Sequence, residues 1–457
     1  MDSSVSLIGL GKLGAPMVAC FAARGFRVHA VDLDSQKVDT IGRGVPPVNE
    51  PGLARLLQEG AGNISATHDT EKAVRESDTT FVVVGTPSEK DGGFSLRYAI
   101  PSCEAIGRAL KAKNSYHLVV LTSTVMPGSM GGEIKSALER ASGKRCGDDF
   151  GLCYSPEFIA LGSVIRDFYN PDFLLIGESD TRAGDALAEI YKRTCKNSPP
   201  MARMNWINAE ITKLAVNTYI TTKISYANML ARLCEKLPEA DVNVVTDALG
   251  LDSRIGAKYL KGAVSYGGPC FPRDNRAFAA LAAKSGAFSD LAEATDRFNR
   301  AQIKALADKV MSHLFKGGTV GILGLTYKPD TDVVEEAFGL LLAQELASEN
   351  LQVVVFDPSA NLEQHLPQKR IRIANSAAEC IADSQIVVVA TPWREFRDLP
   401  RSAWLQPIRG VTSFHSGPRV VIDCWRALRH LESAQGLRYV RLGWGGATRT
   451  TVLASKV

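Results

Sequence analysis

The stretch "VSLIGLGKLGAPMVACFAARGFRVHAVDLD", residues 5–34, decides how the first part of the chain folds. Val5 to Ile8 form a short apolar run, and "GLGKLG" follows, with Gly9, Gly11 and Gly14 at G-x-G-x-x-G spacing ahead of the helical pattern "APMVACFAARG". In a dinucleotide-binding turn the first glycine makes the tight bend, the second lets backbone approach a pyrophosphate, and the third lets helix pack on strand. Lys12 and Leu13 complete that turn. The next run, "FRVHAVDLD", ends in Asp32, about 20 residues beyond the first glycine, where a carboxylate accepts the ribose 2'-OH and repels a 2'-phosphate. Strand, turn, helix and acid together predict NAD rather than NADP. A glycine turn that binds nothing accounts for neither the second strand nor Asp32.

The pattern continues outward. "DTTFVVVGTP" (78–87) and "HLVVLTSTVMPG" (117–128) read as further strands between helical segments, the alternation of a parallel doubly wound sheet. Thr86, Pro87 and Ser123 to Pro127 follow the carboxyl ends of those strands, where ligands bind in such sheets. The last third repeats this grammar: "GGTVGILGLTYKPDTD" gives a strand and a glycine turn, "LQVVVFDPS" a strand ending in Asp357, and "SQIVVVATPW" a strand ending in Thr391 and Pro392. After Gly324 no G-x-x-G continues, and a helix is expected to start around Lys328 and the acidic run after it. This copy is either a nucleotide site of another kind or a purely structural repeat. Between the two lies "NAEITKLAVNTYITTKISYANMLARLCEKL" (208–237), free of Gly and Pro, expected as one helix about 45 Å long. It suits a spine between domains and a dimer seam. Lys213 and Asn217 lie four apart on it and share a face, a spacing that by itself describes a solvated stripe.

Composition sets bounds on function. The 457 residues are 45% hydrophobic and 22% charged with a formal net charge of +4, enough for two or three domains and without a dense basic run, so neither nucleic acid nor a membrane surface is expected as partner. The N-terminus shows no signal-like region, and a cytoplasmic protein is expected. Nine scattered cysteines with no CxxC pair fit neither a disulfide framework nor a metal site. One stands apart: Cys270, inside "SYGGPCFPRD" (265–274), sits between two rigid turns rather than on an apolar face.

Six blocks in one order, "GLGKLG", "STVMPG", "SPEFIALG", "AEITKLAVNTYITTKISYAN", "RIGAKYLKGAVSYGGPCFPRD" and "GLTYKPDTD", resemble the UDP-glucose 6-dehydrogenases of the UDP-glucose/GDP-mannose dehydrogenase family over nearly the whole chain. The resemblance implies an α/β protein: an NAD-binding Rossmann domain (1–200), a central helical dimerisation domain (201–300) and a C-terminal Rossmann-like nucleotide-sugar domain (301–457). It implies a four-electron oxidation of the sugar C6 alcohol to a carboxylate, reducing two NAD in turn, by a homodimer or higher homo-oligomer without a metal. Cys270 is then the nucleophile, Lys213 and Asn217 lie near the reacting oxygen, and Asp274 partners the catalytic water or Lys213. Glu157 and Thr124 handle protons and water. Arg254 reaches the sugar from the neighbouring subunit. The expected cofactor set adds Lys37, Thr86, Thr124 and Arg273 to the glycine turn and Asp32, and the expected substrate set adds Phe158, Ile159, Tyr259, Leu260, Gly267 and Lys328.

Two positions depart from the family pattern: Leu161 stands where relatives carry an acid, and Glu335 where they carry an arginine. UDP-glucose leads as substrate, with another NDP-hexose, a UDP-N-acetylhexosamine and GDP-mannose as alternatives. A one-step dehydrogenase similar to the 3-hydroxyacid or 6-phosphogluconate enzymes explains neither Cys270 nor the second nucleotide-type domain. A non-catalytic nucleotide-sugar sensor would have no need of the polar set.

Overall fold

A computed structural model describes residues 4–446 except 316, 367–368 and 410–416. The described chain divides into two compact units, one running up to Val216 with Ala280–Phe288, the other comprising Asn217–Ala279 and the chain from Ser289 onward.

Unit one is built on eight strands: β1 (Ser4–Ile8), β2 (Arg27–Val31), β3 (Ile64–Thr67), β4 (Thr79–Val82), β5 (Leu118–Leu121), β6 (Gly151–Tyr154), β7 (Leu174–Glu178) and β8 (Met201–Met204). Their order is β3-β2-β1-β4-β5-β6-β7-β8, parallel except at the β6–β7 pair. The first six follow the 3-2-1-4-5-6 order of a dinucleotide-binding sheet. Strands β1, β4, β5 and β6 are buried throughout, as expected where helices cover both faces. The helix Gly14–Ala23 is apolar nearly all round, and nine of its ten residues are buried, because other elements enclose it on all sides. Register pairs Ile8 with Val31 and with Val82, so Gly9, Asp32 and Val83 emerge together at the carboxyl edge.

Unit two carries β9 (Thr319–Leu323), β10 (Gln352–Phe356), β11 (Ile371–Ile373), β12 (Ile386–Val389), β13 (Arg419–Asp423) and β14 (Leu437–Arg441). They form a wholly parallel sheet in the order β11-β10-β9-β12-β13-β14, the same 3-2-1-4-5-6 order. The sequence expectation of two doubly wound sheets with helices between them therefore holds. One detail differs: no helix starts at Lys328. The chain instead runs as a loop to the helix Phe338–Ser348, because Pro329 follows Lys328 and because Asp330 and Glu336 sit at positive φ (61° and 51°).

The expected spine helix is present as Trp206–Cys234, 29 residues and about 44 Å. It starts two residues earlier than the apolar pattern suggested, where the Asn205 side chain accepts from Asn208 N at 3.1 Å. It ends three residues earlier, ahead of Pro238, in tight turns from Lys236 N to Leu233 O and from Leu237 N to Cys234 O. Its apolar residues divide: Leu214 and Ala227 are buried, whereas Tyr219 (64%) and Leu233 (54%) stand in solvent.

The turn after β1 leaves no room for a side chain at its third glycine, since a Cβ on Gly14 would stand 1.8 Å from the Gly9 carbonyl oxygen. Gly14→Ala must therefore lift the helix off the strand end. The expected cost is roughly 1–3 kcal/mol of stability, read by thermal unfolding without ligand, together with loss of NAD binding by calorimetry. An unchanged melting temperature would show that this close approach is absent.

Candidate active site

In unit one the glycine turn opens onto a cavity of about 910 Å³ whose wall includes Gly9, Gly11, Asp32, Lys37, Gly85 and Tyr98. A Cβ on Gly11 would meet nothing within 4 Å, so backbone there faces open space, as close approach of a pyrophosphate requires. Lys12 is exposed beside it and Leu13 occupies the helix N-cap position. The first turn of the helix carries no acidic side chain, which leaves its amide dipoles for an anion. Asp32 accepts from Leu10 N at 2.7 Å and from Asp34 N at 2.9 Å, with the Lys37 ammonium 3.7 Å away. This leaves lone pairs on a largely buried carboxylate at the position where a ribose diol binds. The donor set fits a dinucleotide without a 2'-phosphate.

The loops after β5 and β6 hold the next group. Thr86 Oγ1 donates to the Thr124 carbonyl at 2.7 Å, tying the loop after β4 to the one after β5. Glu157 lies three residues past the end of β6. Lys213 Nζ donates to the Glu157 backbone carbonyl at 2.7 Å and stands 4.6 Å above the Phe158 ring, which itself packs on Phe173. Ile159 rests on the core. Burial pushes the Glu157 carboxyl up to about 7 against the opposing pull of the Lys213 ammonium and of a hydrogen bond from Tyr191, so it is poised to exchange a proton near neutrality.

Unit two gathers a second group around the N-terminus of the helix Phe271–Lys284. Asn217 Nδ2 donates to Asp274 Oδ2 at 2.6 Å, and the Arg273 guanidinium reaches Asp274 Oδ1 at 3.2 Å. Asp274 is fully buried. Cys270 stands just before this helix, with its carbonyl accepting from Asp274 N at 2.8 Å. Of the nine cysteines it is the exposed one, and none is in a disulfide. The preceding glycines are demanded by packing: a Cβ on Gly267 would come 2.1 Å from the Glu336 carbonyl, and Gly268, at φ +83°, lies against the Tyr327 ring. Gly268 N donates to the Glu335 carbonyl at 3.0 Å, so the departure at position 335 reaches this loop through backbone. Leu260 is buried and Tyr259 half exposed, with its ring 6.4 Å from that of Phe271. Lys328 lies partly buried in the loop after β9. Arg254, 86% exposed, pairs with Asp252 at 2.6 Å and, among the described residues, makes no hydrogen bond or ion pair to the group around Asp274.

Three side chains that the sequence did not single out hold these loops. Glu210 is fully buried and accepts from Gly128 N at 2.7 Å and Met130 N at 2.8 Å, anchoring the loop of Thr124. Glu50 accepts from Gly162 N at 2.9 Å and Val164 N at 2.7 Å, anchoring the loop of Glu157. Tyr191 touches Glu157 itself. One signal was available: Glu210 lies three residues before Lys213 and so on a neighbouring part of the same helix face. Among the described residues no group of three or more His, Cys, Asp or Glu side chains could hold a metal, and no helix is long and apolar enough to cross a membrane.

Residues 3–195 match the NAD binding domain of the UDP-glucose/GDP-mannose dehydrogenase family, residues 207–301 its central domain, and residues 321–430 its UDP binding domain. The chain is 36% identical over 401 residues to the UDP-glucose 6-dehydrogenase AglM of Haloferax volcanii, covering 86% of this chain and 92% of that one. It is 33% identical over 410 residues to a GDP-mannose 6-dehydrogenase of Pseudomonas aeruginosa, covering 86% and 93%. The solved structure of a UDP-glucose dehydrogenase from Pyrobaculum islandicum superposes with a TM-score of 0.85 at 32% identity, covering 97% of this chain and 98% of that one. Matches to all three domain profiles, in the order in which the sheets and the spine helix follow one another, lead to one assignment: the chain belongs to the UDP-glucose/GDP-mannose dehydrogenase family and carries its NAD binding domain.

Proposed function

We propose that this chain oxidises the C6 alcohol of a nucleotide sugar to the carboxylate, with UDP-glucose as first choice of substrate and domain limits at 1–200, 201–300 and 301–457. The observation that carries the reading is the exposed Cys270 thiol at a helix N-terminus, on a loop whose glycines admit no side chain. NAD, when bound, accepts one hydride from C6 in each of two rounds. Glu157, with Thr124 as its partner in handling protons and water, takes the alcohol proton as the aldehyde forms. The Cys270 thiolate, favoured by helix amides, adds to the aldehyde carbon, and its oxygen becomes the alkoxide of a thiohemiacetal. Lys213 and Asn217 stabilise that alkoxide. Loss of the second hydride leaves a thioester. Water, oriented by Asp274, attacks the carbonyl carbon, the C–S bond breaks, and carboxylate and thiol are released. In balance, one alcohol, one water and two NAD+ give one carboxylate, two NADH and three protons.

Support for UDP-glucose comes from the name of the relative at 36% identity, while GDP-mannose relatives at 33% keep that sugar as the second reading. Assay of a panel of nucleotide sugars for NADH production decides between them, and no turnover with any would favour the sensor. Tyr259, Leu260, Gly267, Lys328, Phe158 and Ile159 are proposed to line the substrate, and Lys12, Leu13, Lys37, Thr86 and Arg273 to attend the cofactor. The apolar side chains exposed along the spine helix support a homodimer, and nine cysteines without a disulfide support a reducing, cytoplasmic setting.

Complete oxidation should yield two NADH per sugar with no aldehyde accumulating, and folded Cys270→Ala should lose about three orders of magnitude or more in this activity while still binding NAD. A ratio of one NADH would refute the four-electron reading. Cofactor choice follows from Asp32: NAD+ should exceed NADP+ on the order of 100-fold in kcat/KM, and Asp32→Ala should narrow the gap. Mixing Arg254→Ala with Cys270→Ala subunits, each inactive alone, should restore part of the activity through hybrid sites. Absence of any recovery after proven subunit exchange would remove Arg254 from the partner's site.

A further inference from the structure

Glu157 has a neighbour whose placement is unusual for a residue with only a packing role. Tyr191, on the helix Thr181–Thr194, is 1% exposed, yet its hydroxyl touches two polar side chains. It lies 2.8 Å from Ser155 Oγ and 3.4 Å from Glu157 Oε1, toward which it donates. Ser155 is the first residue past β6, 2% exposed, and its N–H continues the sheet ladder to the Leu121 carbonyl at 2.9 Å. The chain of contacts thus runs from the fixed end of a strand, through a phenol, to the carboxyl on the following loop. A buried hydroxyl would be satisfied by Ser155 alone; the second contact serves Glu157.

We infer that Tyr191, held by Ser155, is a positioning residue for Glu157, donating its phenolic proton to one carboxyl oxygen and so keeping that carboxyl in a form that gives up and regains a proton during the reaction. This rests on the reading of Glu157 as proton acceptor. The groups that face Glu157 limit the alternatives. Lys213 approaches from the spine helix and holds the Glu157 backbone carbonyl. Cys195, just past the helix of Tyr191, and Cys20, from the helix Gly14–Ala23, are thiols that burial pushes up to about 11 and about 12, so both are neutral at working pH. Tyr191 is itself raised well above the ordinary phenol range by burial, so it remains a donor throughout. Lys213 supplies charge and Tyr191 supplies the hydrogen bond; both favour the ionised carboxylate against desolvation.

Removing the phenolic donor favours the protonated acid, so a larger pH is needed to obtain the base. In Tyr191→Phe the acidic limb of the kcat profile should move up by about one pH unit, which lowers kcat about tenfold at pH 6 and by less than about twofold at pH 9. KM for the nucleotide sugar should hold. Ser155→Ala, which leaves the phenol in place but loosens it, should move the limb the same way by less. Infrared or carbon-13 titration of the Glu157 carboxyl in protein without nucleotide, with Glu157→Gln to assign the signal, gives the same quantity independently of turnover. A uniform loss of activity at all pH values, or an unmoved limb and an unmoved carboxyl titration in both variants, would overturn the inference. If Glu157→Gln retains full activity, the reading of Glu157 falls, and the carboxyl titration in Tyr191→Phe still decides whether Tyr191 sets its ionisation.

Discussion

The close approach of Gly14 to the Gly9 carbonyl is the constraint on which the rest of unit one depends. With no Cβ at position 14, the helix sits directly on the strand end, and its amide dipoles point where a pyrophosphate arrives. From that seat the neighbouring groups follow: Gly9 N bonds Val31 O at 2.8 Å, Leu10 N bonds Asp32, and Val83 N bonds Ile8 O at 2.8 Å. Unit two obeys the same constraint with different residues. A Cβ on Gly339 would stand 2.1 Å from the Gly324 carbonyl, so Gly339 takes the part of Gly14, but it lies fifteen residues after Gly324 where Gly14 lies five after Gly9. The extra residues form the loop that carries Lys328 and packs under the glycines before Cys270. The fingerprint of the first sheet is thus stretched in the second, and the inserted loop is where a different ligand chemistry can reside.

The acids at the ends of the second strands confirm how the two sheets diverge. Asp32 accepts two backbone amides and keeps lone pairs for a ribose. Asp357, at the matching position, accepts from Leu325 N, Thr326 N, Thr326 Oγ1, Ser359 N and Ala360 N. Five donors from its own chain saturate that carboxylate, so it shapes the loop after β9 and has little capacity left for a diol. Equal strand order and equal position do not make equal sites.

What the sequence made legible was local. Apolar runs of four or five residues, the glycine turn and Asp32 lie within one βαβ unit, and all three emerged where spacing put them. The spine helix was legible from periodicity, but its ends were not, because they are set by the Asn205 cap and by Pro238 rather than by apolar pattern. Gly339 went unread as the third glycine since no short motif spans that gap. The pairs that build the polar groups are distant in sequence: Asn217 with Asp274, Glu210 with Met130, Glu50 with Val164. Periodicity carries no information at such separations; only the resemblance to relatives brought Asn217 and Asp274 into one list, and nothing brought in Tyr191.

Three of unit one's acids show how one residue type is assigned different work by its donors. Glu210 is fully buried, and burial raises its carboxyl, yet amides of the loop it caps pull in the opposite direction and keep it a loop anchor. Glu50 takes two amides in the same manner and anchors the loop after β6. Glu157, carried by that second loop, receives no backbone amide among the described residues; it has a phenol at 3.4 Å and the influence of one ammonium, too little to offset desolvation fully, so burial leaves it near 7. A carboxylate fixed by two amides is a poor proton acceptor because protonation would forfeit both bonds. A carboxyl held by a single long hydrogen bond forfeits less on protonation than one held by two amides. The loop anchors and the proton-exchanging group therefore differ in how many donors the fold supplies, and that number is set by backbone the loops themselves contribute.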